Sequence, residues 1–378
     1  MYDKGWLKSY STEVPSICVG NVSVGGTGKT PVTELLIRTL RDDEIPAADA
    51  EYLGFDPGSL FFTVKPNIAV LSRGYKRKTK GFQQVVTTGS AEQYGDEPLQ
   101  IKQKFPETVV VVDADRVEGC KLLTHPSKIK ELPEKTRRGI IAPKFGKSDI
   151  IILDDAYQCR RIKATSNIVL TTYSRPYFHD FLLPVGRLRD LRERVHKADM
   201  VIVTKCPTYL EDSEKMDWAA KMKIKDYNPA TCEGITKGGK KQKLLFATIT
   251  YDGLEPVFPD GDRRYTHAKF AILFSGIAND TPLARWLSET YRIVSHLKYP
   301  DHHYFTKNDV KDIASTAAKF PTSVVITTEK DAQRMRDGKL VVGQDLHNRM
   351  FYVPIRVQML TGVEQKCLKE YLSEINHR

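Results

Sequence analysis

The sequence predicts an α/β fold in which a doubly wound sheet, of the type found in P-loop NTPases, is followed by a second, smaller α/β lobe. Short apolar runs recur along the chain, and each ends in a polar or glycine-rich turn. Helical spacing of apolar residues lies between several runs, as at Val32, Leu35, Leu36 and Leu40. A glycine-rich loop separates that helix from the first run. Strands that are apolar on both faces need helices on both sides, which is typical of a parallel sheet.

The candidate strands are short enough to be buried strands rather than helices. They are the apolar runs at residues 17–19, 68–71, 109–112, 150–153, 168–170, 201–203, 244–249, 270–274 and 324–326. Two stretches, near 42–66 and 125–147, interrupt the alternation of strands and helices with prolines and clustered charged residues. We predict surface insertions there. We expect a core domain over 1–208, a polar connecting segment over 209–243, and a second lobe over 244–378 that completes a cleft.

Composition limits the partners and the compartment. The 378 residues carry a formal net charge of +11, which favours phosphorylated substrates, anionic lipid surfaces or nucleic acid. No nucleic-acid recognition module can be identified, so we expect no nucleic-acid partner, and we infer no obligatory protein partner. The six cysteines lack a C-x-x-C pair, which indicates reduced thiols in the cytoplasm. No apolar run reaches the ~18 residues of a membrane-spanning helix, so any membrane contact would be peripheral.

A candidate phosphate loop follows the first strand. Its residues are Ser23, Val24, Gly25, Gly26, Thr27, Gly28, Lys29 and Thr30. In a P-loop, backbone N–H groups and the helix N-terminus face the phosphates of ATP. Lys29 would contact the β- and γ-phosphates, and the Thr30 hydroxyl would bind Mg²⁺. Ser23 replaces the usual first glycine, so a plain glycine-rich turn is the alternative, but the order strand, loop, helix favours a phosphate site.

A candidate magnesium ligand follows a later strand. The run at 150–153 ends in Asp154, which places a carboxylate at the edge of the sheet where α/β proteins bind ligands. Asp113, which follows the run at 109–112, is the rival.

Several motifs occur together along the chain. The first extends from Gly20-Asn21-Val22-Ser23 through the P-loop to Pro31. It is followed, in order, by Leu71-Ser72-Arg73-Gly74-Tyr75, Tyr94-Gly95-Asp96-Glu97-Pro98, Asp113-Ala114-Asp115-Arg116, Leu153-Asp154-Asp155-Ala156-Tyr157-Gln158, Leu182-Leu183-Pro184-Val185-Gly186-Arg187-Leu188-Arg189-Asp190, Phe274-Ser275-Gly276-Ile277, Pro300-Asp301-His302-His303 and Thr328-Glu329-Lys330-Asp331. In sequence and in order, these motifs resemble those of one family, the tetraacyldisaccharide 4′-kinases of lipid A biosynthesis.

The resemblance implies an enzyme that transfers the γ-phosphoryl group of ATP to the 4′-hydroxyl of an acylated glucosamine disaccharide 1-phosphate. It implies a peripheral location at the cytoplasmic face of the bacterial inner membrane, beside an anionic lipid surface. Asp96 would accept the hydroxyl proton, and His302, in preference to His303, would orient Asp96. Asp154 and Asp190 would hold the metal, with Asp190 standing where the family usually has Glu. The remaining implied substrate contacts are Arg73, Tyr75, Asp155, Gln158 and Arg189.

Other interpretations of these residues stay open. Asp96 could be an N-cap, and His302 and His303 could be surface residues or part of a metal site. A P-loop ATPase or GTPase switch of the metal-chaperone or partitioning type is the leading functional alternative. A GTPase would be favoured by an N/T-K-x-D motif, but Thr204-Lys205-Cys206-Pro207 lacks the aspartate. The basic clusters at 76–80 and 187–194 fit an anionic head group, with a solvated basic face as the alternative.

Overall fold

The computed structural model describes residues 7–41, 65–132, 145–301, 303–336 and 340–376. Most of the predicted insertion near 42–66 lies outside these ranges, and so does the middle of the insertion near 125–147. His302 also lies outside them. The chain forms two compact units. The first contains the residues up to Ile249 together with those from Val357 onwards, and the second consists of Thr250–Arg356.

The strands and helices alternate along most of the chain. The strands are β1 (Tyr10–Ser11), β2 (Ser16–Asn21), β3 (Ile68–Ser72), β4 (Gln83–Gln84), β5 (Val109–Val112), β6 (Ile150–Asp154), β7 (Ile162–Lys163), β8 (Ser166–Thr172), β9 (Met200–Thr204), β10 (Ile224–Asn228), β11 (Glu233–Thr236), β12 (Lys241–Tyr251), β13 (Glu255–Pro256), β14 (Phe270–Ser275), β15 (Arg292–Lys298), β16 (Val324–Thr328), β17 (Met350–Val353) and β18 (Ile355–Met359). The α-helices are α1 (Lys29–Arg41), α2 (Ala91–Tyr94), α3 (Asp96–Lys104), α4 (Arg116–Thr124), α5 (Asp212–Lys221), α6 (Thr281–Thr290), α7 (Lys307–Lys319), α8 (Glu329–Arg336), α9 (Gln344–Arg349) and α10 (Gly362–Asn376).

The first unit is built on a parallel sheet in the order β12-β9-β8-β2-β6-β3-β5. The chain leaves β2 towards β3 on one side and leaves β6 towards β8 on the other. Winding therefore reverses between β2 and β6, and the carboxyl ends of these two strands form the crevice where doubly wound sheets bind ligands. The antiparallel strands β4 and β11 flank the parallel part.

Alternating residues of these strands point into two cores on opposite faces of the sheet. Ile17 and Val19 of β2 lie in one core, with residues of α1, α3 and α10. Cys18, between them, lies in the other core with residues of α4 and α5. The predicted doubly wound α/β fold is therefore confirmed, and each apolar run proposed as a strand lies in a strand.

The observed units differ from the predicted domain boundaries. Residues 209–243 do not merely connect two domains, because they supply α5, β10 and β11 to the first unit. Strand β12 joins β9 of the first sheet, and α10 returns to that unit at the end of the chain. Three of the five residues of the edge strand β10 are exposed and polar, so it shows no apolar run. An apolar run, in turn, does not reveal which of two sheets it joins.

The second unit is a smaller α/β structure. Its sheet has the order β13-β17-β16-β14-β15, in which all pairs except β13 with β17 are parallel. Apolar residues of β14 and β16 contribute to cores on both faces of the sheet. Within the described ranges of both units, no helix combines the length and the apolar character needed to cross a bilayer.

Arg349 at the end of α9 is a buried structural residue of the second unit. Only 1% of it is exposed, and its guanidinium donates to the carbonyl groups of Ser323, at 3.0 Å, and Phe320, at 2.6 Å. We expect Arg349→Ala to lower the free energy of unfolding by about 3 kcal/mol, because it leaves a cavity and buried carbonyl groups without donors. Chemical denaturation measures this loss. Arg285→Ala, at an exposed position of α6, should change stability by less than ~0.5 kcal/mol. Similar losses for both variants would contradict the prediction.

Candidate functional site

The predicted phosphate loop lies at the winding reversal. It runs from the end of β2 at Asn21 to Lys29, the first residue of α1. Gly25 and Gly28 have φ angles of +106° and +87°, which side chains strongly disfavour. The side-chain amide of Asn21 donates to the Thr27 hydroxyl at 2.7 Å. The loop is thus held in an open turn whose backbone precedes a helix N-terminus, as phosphate binding requires.

A second segment is hydrogen-bonded to the start of this loop. The backbone N–H of Val24 donates to the carbonyl of Arg187 at 2.7 Å. The N–H of Arg189 donates to the carbonyl of Val22 at 2.8 Å, and Ser23 forms an isolated β-bridge with Leu188. The family motif at residues 182–190 is therefore part of the phosphate-loop structure.

Lys29, Asp155 and Arg189 form a charged cluster beside the loop. The Lys29 ammonium lies 3.8 Å from an Asp155 carboxylate oxygen, and Arg189 hydrogen-bonds to both oxygens of Asp155. Asp155 follows β6 with a φ of +47°. Burial alone would raise the pKa of Asp155, but Arg189 and Lys29 outweigh it and lower this pKa. Asp155 therefore stays ionised and holds both cations at the site.

Asp154 has the features expected of a metal ligand. It ends β6, is 5% exposed, and accepts a hydrogen bond from the Ser72 hydroxyl at 3.1 Å. Its Oδ1 atom is buried without a hydrogen-bond partner among the described residues. Burial, and then the charge of Asp155, raise the pKa of Asp154 to about 6. A buried carboxylate oxygen of this kind fits a hard cation such as Mg²⁺, for which Thr30 at the start of α1 could be the second protein ligand.

The turn that leads to Asp96 packs against the turn that follows β3. Gly74 and Gly95 have φ angles of +67° and +91°, and a Cβ on Gly95 would lie 3.1 Å from the Tyr75 carbonyl oxygen. Asp96 is the first residue of α3, and the preceding Gly95 occupies the N-cap. Glu97 contributes to the raised pKa of Asp154, which indicates that this turn lies on the Asp154 side of the sheet. Asp96 thus begins a helix, as the structural alternative expects, and its role as a base stays a prediction.

A buried carboxylate connects the helices that begin at Lys29 and Asp96. Glu34 of α1 is fully buried. It accepts a hydrogen bond from the Gln100 amide at 3.0 Å and forms an ion pair with the Lys104 ammonium at 2.8 Å. Both partners lie on α3. The N-termini of these two helices are thereby held in a fixed relation.

The other predicted contacts differ in how closely they approach the loop. Gln158 donates to the carbonyl of Asn21 at 2.6 Å, next to the phosphate loop. Arg73 is exposed, and its charge contributes to the lowered pKa of the buried Arg116. Tyr75 is 66% exposed. Asp190 is held by Arg194 at 2.8 Å and by Arg160 at 4.0 Å. These two guanidinium groups offset the negative charge of its carboxylate. The role of Asp190 as a metal ligand stays a prediction.

The sequence interpretation missed contacts that come from distant strands. The Thr204 hydroxyl, at the end of β9, donates to the carbonyl of Thr27 at 2.8 Å. Lys205 follows with a φ of +57°, and its ammonium lies 4.0 Å from the point that a Cβ on Gly26 would occupy. Asn21 was not singled out either. The rule that strand carboxyl ends meet at one edge was the available signal for all three residues.

Three further family motifs meet inside the second unit. The buried Asp331 accepts hydrogen bonds from the Gly276 N–H at 2.8 Å and the Thr328 hydroxyl at 2.7 Å. A Cβ on Gly276 would lie 3.2 Å from the Cβ of His303. The His303 ring lies 3.0 Å from Asp309. A cavity of about 400 Å³ lies beside these residues, and its lining includes Ser275, Asn279, Asp280, Lys298 and Asp301.

The rival aspartate, Asp113, has a structural consequence of its own. It is 1% exposed, and burial raises its pKa to about 6. Because the folded-state pKa lies above the unfolded value of ~3.8, the folded state gains stability from protonated Asp113 at low pH and loses it as the pH rises through 6.

We therefore expect Asp113→Asn to gain stability relative to the parent chain as the pH is raised from 4.5 to 7.5. The relative gain in unfolding free energy over this range should reach about 2 kcal/mol, since the amide cannot ionise. Urea denaturation at several pH values measures it. Asp217→Asn, at an exposed position of α5, serves as the control and should show no such trend. A constant difference between Asp113→Asn and the parent chain would refute the raised pKa.

Comparison with known proteins assigns the chain to a family. The family model for LpxK, tetraacyldisaccharide-1-P 4′-kinase, matches residues 1–48 and 63–375. A tetraacyldisaccharide 4′-kinase of Porphyromonas gingivalis is 35% identical, with 100% of this chain and 92% of the relative aligned. The corresponding values for Parabacteroides distasonis are 37%, 100% and 90%, and for Flavobacterium johnsoniae 36%, 94% and 86%.

A solved structure shares the fold. The crystal structure of LpxK from Aquifex aeolicus in complex with ATP superposes with a TM-score of 0.62, at 22% identity, over 98% of this chain and 92% of that one. Since the family model and relatives at 35–37% identity extend over nearly the whole sequence, this chain belongs to the tetraacyldisaccharide-1-P 4′-kinase family.

Proposed function

We propose that this chain transfers the γ-phosphoryl group of ATP to the 4′-hydroxyl of a tetraacylated glucosamine disaccharide 1-phosphate, a step of lipid A biosynthesis. The observation that carries the proposal is a phosphate loop whose Lys29 lies beside Asp155, directly after the buried Asp154 at the end of β6, in a chain of this family. The named relatives are tetraacyldisaccharide 4′-kinases, which supports the same acceptor.

The phosphate loop would bind ATP through residues 23–30. Backbone N–H groups of the loop and the N-terminus of α1 suit the phosphate oxygens, and the Lys29 ammonium adds a positive charge. Thr30 and Asp154 would hold Mg²⁺, which would neutralise negative charge on the transferred group. Asp155 would keep Lys29 and Arg189 directed to the loop, because it contacts both. We propose Asp190 as the second metal ligand, with Arg194 and Arg160 as the groups that hold its carboxylate.

Asp96 would act as the base. A sugar hydroxyl is a weak nucleophile, so a carboxylate that takes its proton as the new P–O bond forms assists the transfer. We propose His302 as the residue that orients Asp96, with His303 as the alternative; His302 lies outside the described residues. The exposed Arg73 and Tyr75, together with Gln158 and Arg189, would contact the substrates.

The proposed acceptor is a lipid, so the enzyme would meet it at a membrane surface. We propose that the chain works as a peripheral protein at the cytoplasmic face of the inner membrane, where its net charge of +11 suits anionic lipids. No nucleic acid and no obligatory protein partner enter this proposal.

The test is transfer of labelled γ-phosphate from ATP and Mg²⁺ to a detergent-dispersed acylated disaccharide 1-phosphate. We expect a labelled lipid product that forms only with the acceptor, and none with a matched 4′-deoxy acceptor. The main alternative is a P-loop switch ATPase or GTPase. It would be favoured instead if nucleotide were hydrolysed equally fast with and without acceptor and no labelled lipid formed.

A further inference from the structure

The loop formed by residues 180–191, here called the apolar loop, exposes a run of large apolar side chains. The exposed fractions are 62% for Phe181, 46% for Leu182, 53% for Leu183 and 84% for Val185. Single exposed apolar residues are common on protein surfaces, but four of them within five positions form a patch. Such a patch indicates a surface that another molecule or a lipid phase covers.

The apolar loop has a defined conformation. The Asp180 carboxylate accepts hydrogen bonds from the backbone N–H groups of Phe181, at 2.9 Å, and Arg187, at 3.0 Å. The N–H of Leu188 donates to the Phe181 carbonyl at 2.8 Å. A Cβ on Gly186 would lie 2.3 Å from that same carbonyl oxygen, so the turn requires glycine. The backbone thus satisfies its own hydrogen bonds while the apolar side chains point outwards.

The loop is also fixed to the phosphate site. Its second arm pairs with the phosphate loop through the contacts of Arg187 and Arg189 described above. Val24 in the phosphate loop is itself 39% exposed. Whatever covers the patch would therefore be positioned directly against the nucleotide-binding residues.

Positive charge surrounds the patch. Two of the five arginines between positions 175 and 194 are paired with carboxylates, Arg189 with Asp155 and Arg194 with Asp190. The other three, Arg175, Arg187 and Arg192, lie beside the Asp180–Phe181 end of the patch. Arg175 and Arg187 lie close enough to Asp180 to contribute to its lowered pKa. The Arg192 guanidinium lies 5.2 Å from the centre of the Phe181 ring and donates to the Asp180 carbonyl at 2.8 Å. Apolar side chains with arginines at their base are the composition of segments that insert into an anionic membrane interface.

We propose that the apolar loop docks on an anionic phospholipid bilayer and inserts Phe181, Leu182, Leu183 and Val185 among the lipids. The proposal rests on the proposed function, for which it names the surface that faces the membrane. A bilayer fits better than one acyl chain, because the side chains protrude from a turn instead of lining a groove. It fits better than a second copy of the chain, because the patch is surrounded by positive charge.

The experiment measures binding to vesicles in the absence of ATP and acceptor. The full chain is titrated with phosphatidylethanolamine vesicles that contain phosphatidylglycerol, and with phosphatidylcholine vesicles for comparison. We expect the parent chain to prefer the anionic vesicles. The triple variant Phe181→Ser, Leu182→Ser, Val185→Ser should bind them roughly 10- to 100-fold more weakly.

A matched triple variant controls for the loss of exposed apolar area. Tyr209→Ser, Met216→Ser and Ile235→Ser remove three exposed apolar side chains from other places in the first unit, and this variant should bind as tightly as the parent chain. Circular dichroism and ATP binding establish that both variants are folded. Because the assay contains no substrate, its result is independent of the kinase test.

Three outcomes would overturn the proposal. Equal vesicle binding by the parent chain and the apolar-loop variant would show that the loop does not insert. In a separate titration with vesicles that also contain the acylated disaccharide, parent-chain binding to these vesicles alone would assign the patch to the acceptor's acyl chains. A change from dimer to monomer in the apolar-loop variant, with unchanged vesicle binding, would assign the patch to self-association.

Discussion

Lys29→Met should lower the rate of acceptor phosphorylation by about 10³-fold while leaving the fold intact. Lys29 is the first residue of α1, at the end of the phosphate loop, and its ammonium lies 3.8 Å from Asp155. Methionine keeps much of the length and apolar volume of the side chain but removes its positive charge. The loss should appear mainly in kcat, because charge on the transferred phosphoryl group is greatest in the transition state.

The measurement is steady-state transfer of labelled phosphate to the acceptor, together with nucleotide titration of each variant. Lys225→Met, at an exposed position of the edge strand β10, removes the same charge elsewhere in the first unit and should keep full activity. Activity of Lys29→Met within tenfold of the parent chain would show that Lys29 does not stabilise the transferred group.

Asp96→Asn should lower kcat by about 10²- to 10⁴-fold, which is the usual contribution of a general base. Asparagine has nearly the same shape and is tolerated at the start of a helix, so a purely structural role predicts little change. Removal of the carboxylate should leave ATP binding unaffected.

Steady-state kinetics give kcat and nucleotide titration gives the affinity for ATP, so the two effects are measured separately. Glu107→Gln is the control, because Glu107 is an exposed acid shortly after the other end of the same helix. If Asp96→Asn lost less than tenfold in kcat, another group would have to accept the proton.

The sequence predicts the local parts of this structure well. The order strand, glycine loop, helix places Lys29 and Thr30 within a few residues, and apolar runs locate the buried strands. The periodicity of apolar residues is a property of neighbouring positions, so it needs no knowledge of the fold. Asp154 was identified for the same reason, since it directly follows its apolar run.

The sequence is less informative about contacts between distant residues. Thr204 supports the phosphate loop from a position 177 residues beyond Thr27, and no local pattern announces that contact. The assignment of Asp190 to the metal rests on the resemblance alone and stays a prediction, and its ion pairs with Arg194 and Arg160 are contacts that no local pattern indicates. The membership of β12 in the first sheet likewise depends on a pairing with β9 that apolar patterning cannot specify.

The discontinuity of the first unit has a consequence for how the protein is made. Helix α10, at residues 362–376, supplies Leu368, Leu372 and Ile375 to the core that also contains Val32 and Leu36 of α1. A ribosome synthesises α1 about 320 residues before it reaches α10, so the apolar face beneath the phosphate-loop helix stays incomplete until α10 has been made. The uncovered apolar face of a nascent chain is therefore prone to aggregation until α10 packs on it. A stop codon before α10 would release a protein whose α1 helix lacks these packing partners.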